Sequence, residues 1–198
     1  TEEIDVFSKV KKSVSGQAKF YTYYNQFLYH PDDMNITFSG IPKVFTNFRK
    51  EVEKGSLVAP LTKPIKPEHI KTISNNTVIP TLKDLGFEPF ELEPKTAFPF
   101  KGGESQALER LNNYFFKTKK LGVYKKTRNG LIGQDYSSKC SPWLANGSLS
   151  ARTIYWEVKR FEKQYFKNES TYWLIFELIW GDYFKYVSLK HKNDIFKI

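Results

Sequence analysis

Seven prolines fall between residues 55 and 103: Pro60, Pro64, Pro67, Pro80, Pro89, Pro94 and Pro99. Each one fixes its own φ, withholds a backbone donor and pushes the preceding residue toward extended backbone. That stretch can be neither a long helix nor a central strand. It reads as an extended connector laid over a surface, with one short helical turn near Thr81–Leu85. A connector of this length is functional or joins two domains.

The flanking segments have clearer periods. Residues 2–13 carry Ile4, Val6, Phe7 and Val10 at helical spacing and read as an amphipathic helix. Residues 19–25 (Lys-Phe-Tyr-Thr-Tyr-Tyr-Asn) alternate and are rich in aromatics, which reads as a strand. One helix and one strand cannot make a sheet domain, so the pair reads as the end of a larger unit. Residues 42–54 read as a helix, with Pro42 at its start and Val44, Phe45, Phe48 and Val52 as apolar positions. Beyond Gly103 a helix is expected over 103–117, with Ala107, Leu108, Leu111 and Phe115 on one face. A basic, glycine-punctuated loop follows over 118–140, then a short helix over 141–147. Long aromatic-rich helices are expected over 150–167 and 170–191, with Ser150 and Ser170 as N-caps.

Hydrophobic residues make up 40% of the 198 residues and aromatics 17%, which supplies a core and excludes wholesale disorder. The single cysteine, Cys140, excludes a disulfide framework and a thiolate metal site, and a reducing, intracellular compartment is expected. His30, His69 and His191 lie far apart, with no metal-ligand spacing. Asn35-Ile-Thr and Asn75-Asn-Thr match the glycosylation pattern but are set aside, since no signal peptide is read ahead of them. No membrane span is expected: the longest apolar run, Tyr172 to Trp180, is broken by Glu177. The net charge of +10 and the pI of about 9.4 favour a polyanionic partner, though a merely basic surface gives the same balance.

Chemistry concentrates between Tyr124 and Leu144. Ser137, Ser138, Lys139 and Ser141 crowd three hydroxyls and an ammonium ahead of an expected helix start, and Pro142 suits a first helical turn. Hydroxyl donors, a cation and the free amides of a helix N-terminus suit a diphosphate. The alternative is that the serines only cap the helix and Lys139 is solvated. Glu177 lies among Trp173, Phe176 and Trp180, so it needs a partner, either a ligand or a structural donor. Trp173 and Trp180 by themselves suit core packing. Lys117, Lys119, Lys120, Lys125, Lys126 and Arg128 suit a phosphate track or a solvated loop.

Six segments, taken together, resemble the DASH branch of the photolyase/cryptochrome family. They are Leu28-Tyr-His-Pro-Asp-Asp, Val44 to Lys54, Gly102 to Leu111, Tyr124-Lys-Lys-Thr-Arg-Asn-Gly, Tyr136 to Ser150 and Ser170 to Trp180. The resemblance runs from about residue 25 to the C-terminus, and the order and spacing of the segments carry most of its specificity. It implies a mainly α fold. Residues 102–198 would be the N-terminal half of the helical FAD-binding domain, residues 31–101 the interdomain linker, and residues 1–30 the last helix and strand of an α/β antenna domain.

The resemblance also implies roles. Tyr124 would contact the flavin nucleotide, and Ser137, Ser138, Lys139, Cys140 and Ser141 would hold the FAD diphosphate. Arg128 would meet DNA phosphate, Glu177 would form the floor of a pyrimidine-dimer pocket, and Trp180 would form its wall. Tyr183 and Phe184 would face DNA beside them. The implied activity is that of a deoxyribodipyrimidine photo-lyase: reduced, photoexcited FAD splits a cyclobutane pyrimidine dimer, preferentially in single-stranded DNA. A light-signalling or nucleic-acid-binding protein without repair, and an inactive remnant, are the alternatives. A folate antenna such as 5,10-methenyltetrahydrofolate would bind mostly outside these residues.

Three departures from the pattern matter. Gly181 stands where an arginine usually follows the tryptophan, and Cys140 replaces a larger apolar residue. The sequence ends at Ile198, ahead of the family's second half-domain. The chain alone is therefore expected to hold FAD weakly, to be inactive, and to self-associate through exposed apolar surface.

Overall fold

The recurrence of apolar side chains every three to four residues produces seven α-helices among the described residues. They are α1 (Glu2–Ser13), α2 (Phe45–Gly55), α3 (Glu104–Asn112), α4 (Tyr124–Thr127), α5 (Ser141–Ala145), α6 (Ala151–Gln164) and α7 (Glu169–His191). The structure is a computed structural model that describes residues 2–63, 66, 68, 74–88 and 91–197. Pro64, Pro67, His69 and Pro89 of the expected connector lie outside the described residues.

Helix α7 is the axis of the fold. Its start is fixed by Asn168, whose side chain accepts from the amides of Ser170 (2.9 Å) and Thr171 (3.1 Å), while Thr171 Oγ1 accepts from the Asn168 amide at 3.2 Å. The expected cap, Ser170, is instead a buried residue of the first turn. Apolar residues encircle α7, so it can be stable only when covered on several sides. Helices α2, α4 and α6 pack against it. From α2 it receives Phe45 and Phe48, which contact Tyr183. Ile154, Val158 and Phe161 form the buried stripe of α6, each contributing roughly 1.5–3 kcal/mol by leaving water. Ser150 caps α6 as expected, accepting from the Thr153 amide at 3.0 Å. Helix α3 runs on into a π turn over Asn113–Lys117, which buries Tyr114 and Phe115.

The segment from Gln26 to Lys43 is clasped along the last half of α7. Fully buried Asp182 accepts from the amides of Leu28 (2.9 Å) and Tyr29 (2.8 Å). Tyr186 donates to Tyr29 O at 2.7 Å, Tyr183 to Lys43 O at 2.6 Å and Lys190 to Ile41 O at 2.6 Å, and Lys185 donates to Gln26 O. Helical side chains here satisfy the backbone of a segment whose own regular structure is two short 3-10 turns, Pro31–Asp33 and Phe38–Gly40.

Among the described residues of the proline-rich connector there is no α-helix and no strand, and the helical turn expected near Thr81–Leu85 is found at Lys83–Leu85. The connector touches the helices at both ends. Trp156 donates to Ala59 O at 2.9 Å, and Phe98 and Phe100 pack on Trp143.

Two expectations need correction. Residues 19–25 form no strand, and no strand occurs among the described residues. An isolated strand leaves its amides and carbonyls without partners, and alternation in the sequence cannot supply them. The expected helix–strand remnant of an α/β domain is thus absent as such. Helix α1 does form, but it buries no residue; Ile4, Val6, Phe7 and Val10 stay exposed.

Candidate functional site

The loop expected over 118–140 is partly helical, and that helix brings the candidate residues together. A turn over Lys120–Val123 leads into α4, whose four-residue spacing puts Tyr124 and Arg128 on one side. Helix α4 packs on α7. Across that contact Arg128 Nη1 lies 2.8 Å from Glu177 Oε1, with each side chain about 30% exposed. Glu177 therefore has the partner its apolar neighbourhood demanded, and that partner is another of the candidate residues. Tyr124 is buried beside the pair. Burial, reinforced by the Glu177 carboxylate and opposed by Arg128, pushes its hydroxyl up to about 12.

Cations and aromatics line the neighbouring surface. Trp173 stacks on Phe176 (centroids 4.7 Å apart), and Lys125 Nζ sits 4.4 Å from its ring centroid. Lys125 also pairs with Glu169 at 3.2 Å. Lys119 lies over the Tyr165 ring at 4.2 Å, while Lys117, Lys120 and Lys126 are exposed. Trp180 stacks on Phe45 at 3.5 Å and 10°, and on Phe184 at 5.4 Å and 27°. Phe184 is exposed. Tyr183 differs from expectation: its ring is buried against α2 and its hydroxyl is spent on Lys43 O, because it lies on the α7 face that α2 covers.

The turn ahead of α5 is built differently from a simple serine cap. Cys140 precedes α5 without a side-chain cap bond, and Pro142 occupies the first turn. Ser138 is buried, Ser137 and Lys139 are half-buried, and Ser141 is exposed. Lys139 holds φ at 63°, a left-handed conformation unusual for a lysine, and its ammonium sits 3.5 Å from the Tyr136 ring centroid. Among the described residues, no backbone amide from 135 to 140 donates a hydrogen bond to a protein acceptor. Cys140 is buried, its Sγ 3.8 Å from Ser138 O, and burial pushes the thiol up to about 11. It packs the turn as a neutral side chain.

Arg110 was missing from the expected site. It is a buried residue of α3 whose guanidinium reaches into this turn: Nη1 lies 2.7 Å from Asp135 Oδ1, Nη2 donates to Gln134 O and Ser137 O, and Nε donates to Ser138 O. It also lies over the rings of Phe100 and Tyr114. Its position three residues after Ala107, within the apolar stripe, was the available signal.

A groove of about 1180 Å³ lies elsewhere, between α1, residues 23–27 and the end of α7; of the candidate residues, Phe184 alone lines it. The described residues contain no cluster of metal ligands and no helix long and apolar enough to cross a membrane.

No family model matches the chain. It is 44% identical to the cryptochrome DASH of Xenopus laevis over 200 residues, covering 98% of this chain and 38% of that protein. It is 48% identical over 177 residues to the chloroplastic/mitochondrial cryptochrome DASH of Oryza sativa, covering 86% of this chain and 30% of that protein. A solved Synechocystis cryptochrome superposes with a TM-score of 0.87 at 38% identity, covering all of this chain and 41% of that one. The chain thus spans about two fifths or less of the length of these proteins.

Proposed function

This chain belongs to the cryptochrome DASH family, and on that premise we propose that it holds the diphosphate of FAD and presents DNA-facing side chains of a light-responsive flavoprotein. The observation that carries the reading is the turn over 134–140. Its amides are free of protein acceptors among the described residues, and hydroxyls and a lysine surround them. Amides, Ser137, Ser138 and Ser141 hydroxyls and the Lys139 ammonium form a donor set suited to two linked phosphoryl groups. Cys140, neutral and buried, adds no charge against them. Tyr124 contacts the nucleotide from α4.

Arg128 binds a DNA phosphate, and Glu177 accepts hydrogen bonds from a flipped-out pyrimidine dimer. Trp180 and Phe184 offer aromatic surface for stacking, and single-stranded damage is favoured because no base pair has to open. When bound, reduced FAD supplies the photoexcited electron that splits the dimer. The chain's own residues bind and orient the strand. Tyr183 contributes only by locking α7 to the clasped segment.

The test is fluorescence anisotropy with single-stranded oligonucleotides, with and without one thymine dimer, followed by blue-light illumination with excess reduced FAD. Tighter binding of the damaged strand, lost in Glu177→Gln, is expected. Equal affinity for both strands overturns the lesion-binding reading; the chain alone is expected to be inactive, so the dimer should persist under light, and dimer loss that requires the protein would overturn that expectation.

A further inference from the structure

We infer that Arg110 is the positioning residue of the diphosphate turn: it dictates which way the peptide groups face, and so holds three amides ready for phosphate oxygens. The inference rests on the flavin reading above and adds the device that makes the turn competent. A guanidinium has five N–H groups in a rigid plane. Four of Arg110's contacts go to one short turn: the carbonyls of Gln134 (2.9 Å), Ser137 (3.0 Å) and Ser138 (3.2 Å) and the carboxylate of Asp135 (2.7 Å).

A trans peptide unit is planar, and its carbonyl and its N–H point in opposite directions. Three carbonyls drawn onto Arg110 therefore aim the N–H groups of Asp135, Ser138 and Lys139 away from it. None of those amides donates to a protein acceptor among the described residues. Lys139 at φ 63° followed by right-handed Cys140 at φ −76° is the pairing of conformations that turns successive amides into one anion-binding concavity. Without the guanidinium, three carbonyls, that of buried Ser138 among them, lose their donors and the peptide planes are free to rotate. Asp135 offsets the charge of Arg110, so Arg110 acts through the amide dipoles it orients and not as a phosphate ligand.

The experiment is an NMR amide titration of the full chain with ADP and with AMP, in wild type, Arg110→Gln, Arg110→Lys and Asp135→Asn. In wild type, ADP is expected to shift the amides of 135, 138 and 139 and to bind more tightly than AMP. Arg110→Gln should weaken ADP at least tenfold and bring the ADP-to-AMP affinity ratio close to one. Arg110→Lys should restore the charge without restoring that ratio. Asp135→Asn, which removes an exposed partner of the guanidinium, should lower ADP affinity about threefold and decides the matter if Arg110→Gln fails to fold. In variants whose amide spectra show them folded, equal weakening of both nucleotides with the ratio intact overturns the inference. ADP binding and preference unchanged in Asp135→Asn and in the folded Arg110 variants overturn it too, while leaving the diphosphate turn standing. No amide shift with ADP in wild type overturns the diphosphate reading and this inference together.

Discussion

Arg128, at the C-cap of α4, and Glu177 on α7 form an ion pair at 2.8 Å, joining the residue expected to meet a DNA phosphate to the one expected to meet a lesion. In the free chain each neutralises the other, so a phosphate arriving at Arg128 must compete with the Glu177 carboxylate. Both are about 30% exposed, so the pair adds only about 0–1 kcal/mol to stability.

Glu177→Gln should therefore tighten binding to undamaged single strands while abolishing preference for the damaged one. Arg128→Gln should weaken both and lower the slope of log affinity against log salt by about 0.7, the contribution of one phosphate contact on a single strand. Anisotropy titrations at four salt concentrations measure both effects. An unchanged slope in Arg128→Gln would show that this guanidinium meets no phosphate.

Stability should fall as the pH rises from about 4 to about 7. Burial pushes the Asp182 carboxyl up to about 7, against the pull of two backbone amides and Lys185. A group with a raised folded-state pKa binds more protons in the native chain than in the unfolded one. Its contribution is therefore full below the unfolded value of 3.8 and is lost as pH climbs through about 7. Urea midpoints from pH 4 to 8 should show this decline, and Asp182→Asn should flatten it.

Gly181 lies inside α7, exposed, and a Cβ built there meets nothing within 4 Å. Gly181→Ala should stabilise the chain by about 1 kcal/mol through helix propensity alone. Gly181→Arg should be tolerated equally well and raise affinity for DNA. A lower urea midpoint for Gly181→Ala would contradict the helix assignment at this position.

Cys140 should be silent toward a thiol reagent such as DTNB at pH 8 in the native state, because it is both buried and protonated. Its labelling rate should follow the unfolded fraction as urea is added. Rapid labelling in the absence of urea would mean that the turn over 134–140 opens independently of the core.

Periodicity made much of the fold legible. Helices α1, α6 and α7 emerged at nearly their observed bounds because their apolar residues recur at helical spacing, and Ser150 was found as a cap by its chemistry. The start of α7 was misread because Asn168, two residues upstream of Ser170, takes the first amides itself. Strand formation over 19–25 failed for a different reason: aromatic alternation describes one strand, and a sheet requires two. In the site, the residue types from Ser137 to Ser141 suit an ordinary helix cap as well as a diphosphate, and the family resemblance is what singles the run out. Arg110 did not stand out, because an arginine in sequence reads as a solvated cation, and only the fold brings Gln134, Ser137 and Ser138 to it. The pairing of Arg128 with Glu177 was hidden likewise, since nothing local links residues on different helices.

Leu28 and its acceptor Asp182 are separated by 154 positions. On a ribosome adding roughly 5–20 residues per second, the segment around Leu28 waits about 8–30 s before the carboxylate that receives it exists. Throughout that delay Phe27, Leu28 and Tyr29 remain wetted and available to chaperones. Protection of the Leu28 and Tyr29 amides from solvent exchange accordingly marks the moment when synthesis has passed Asp182 and the two segments have met.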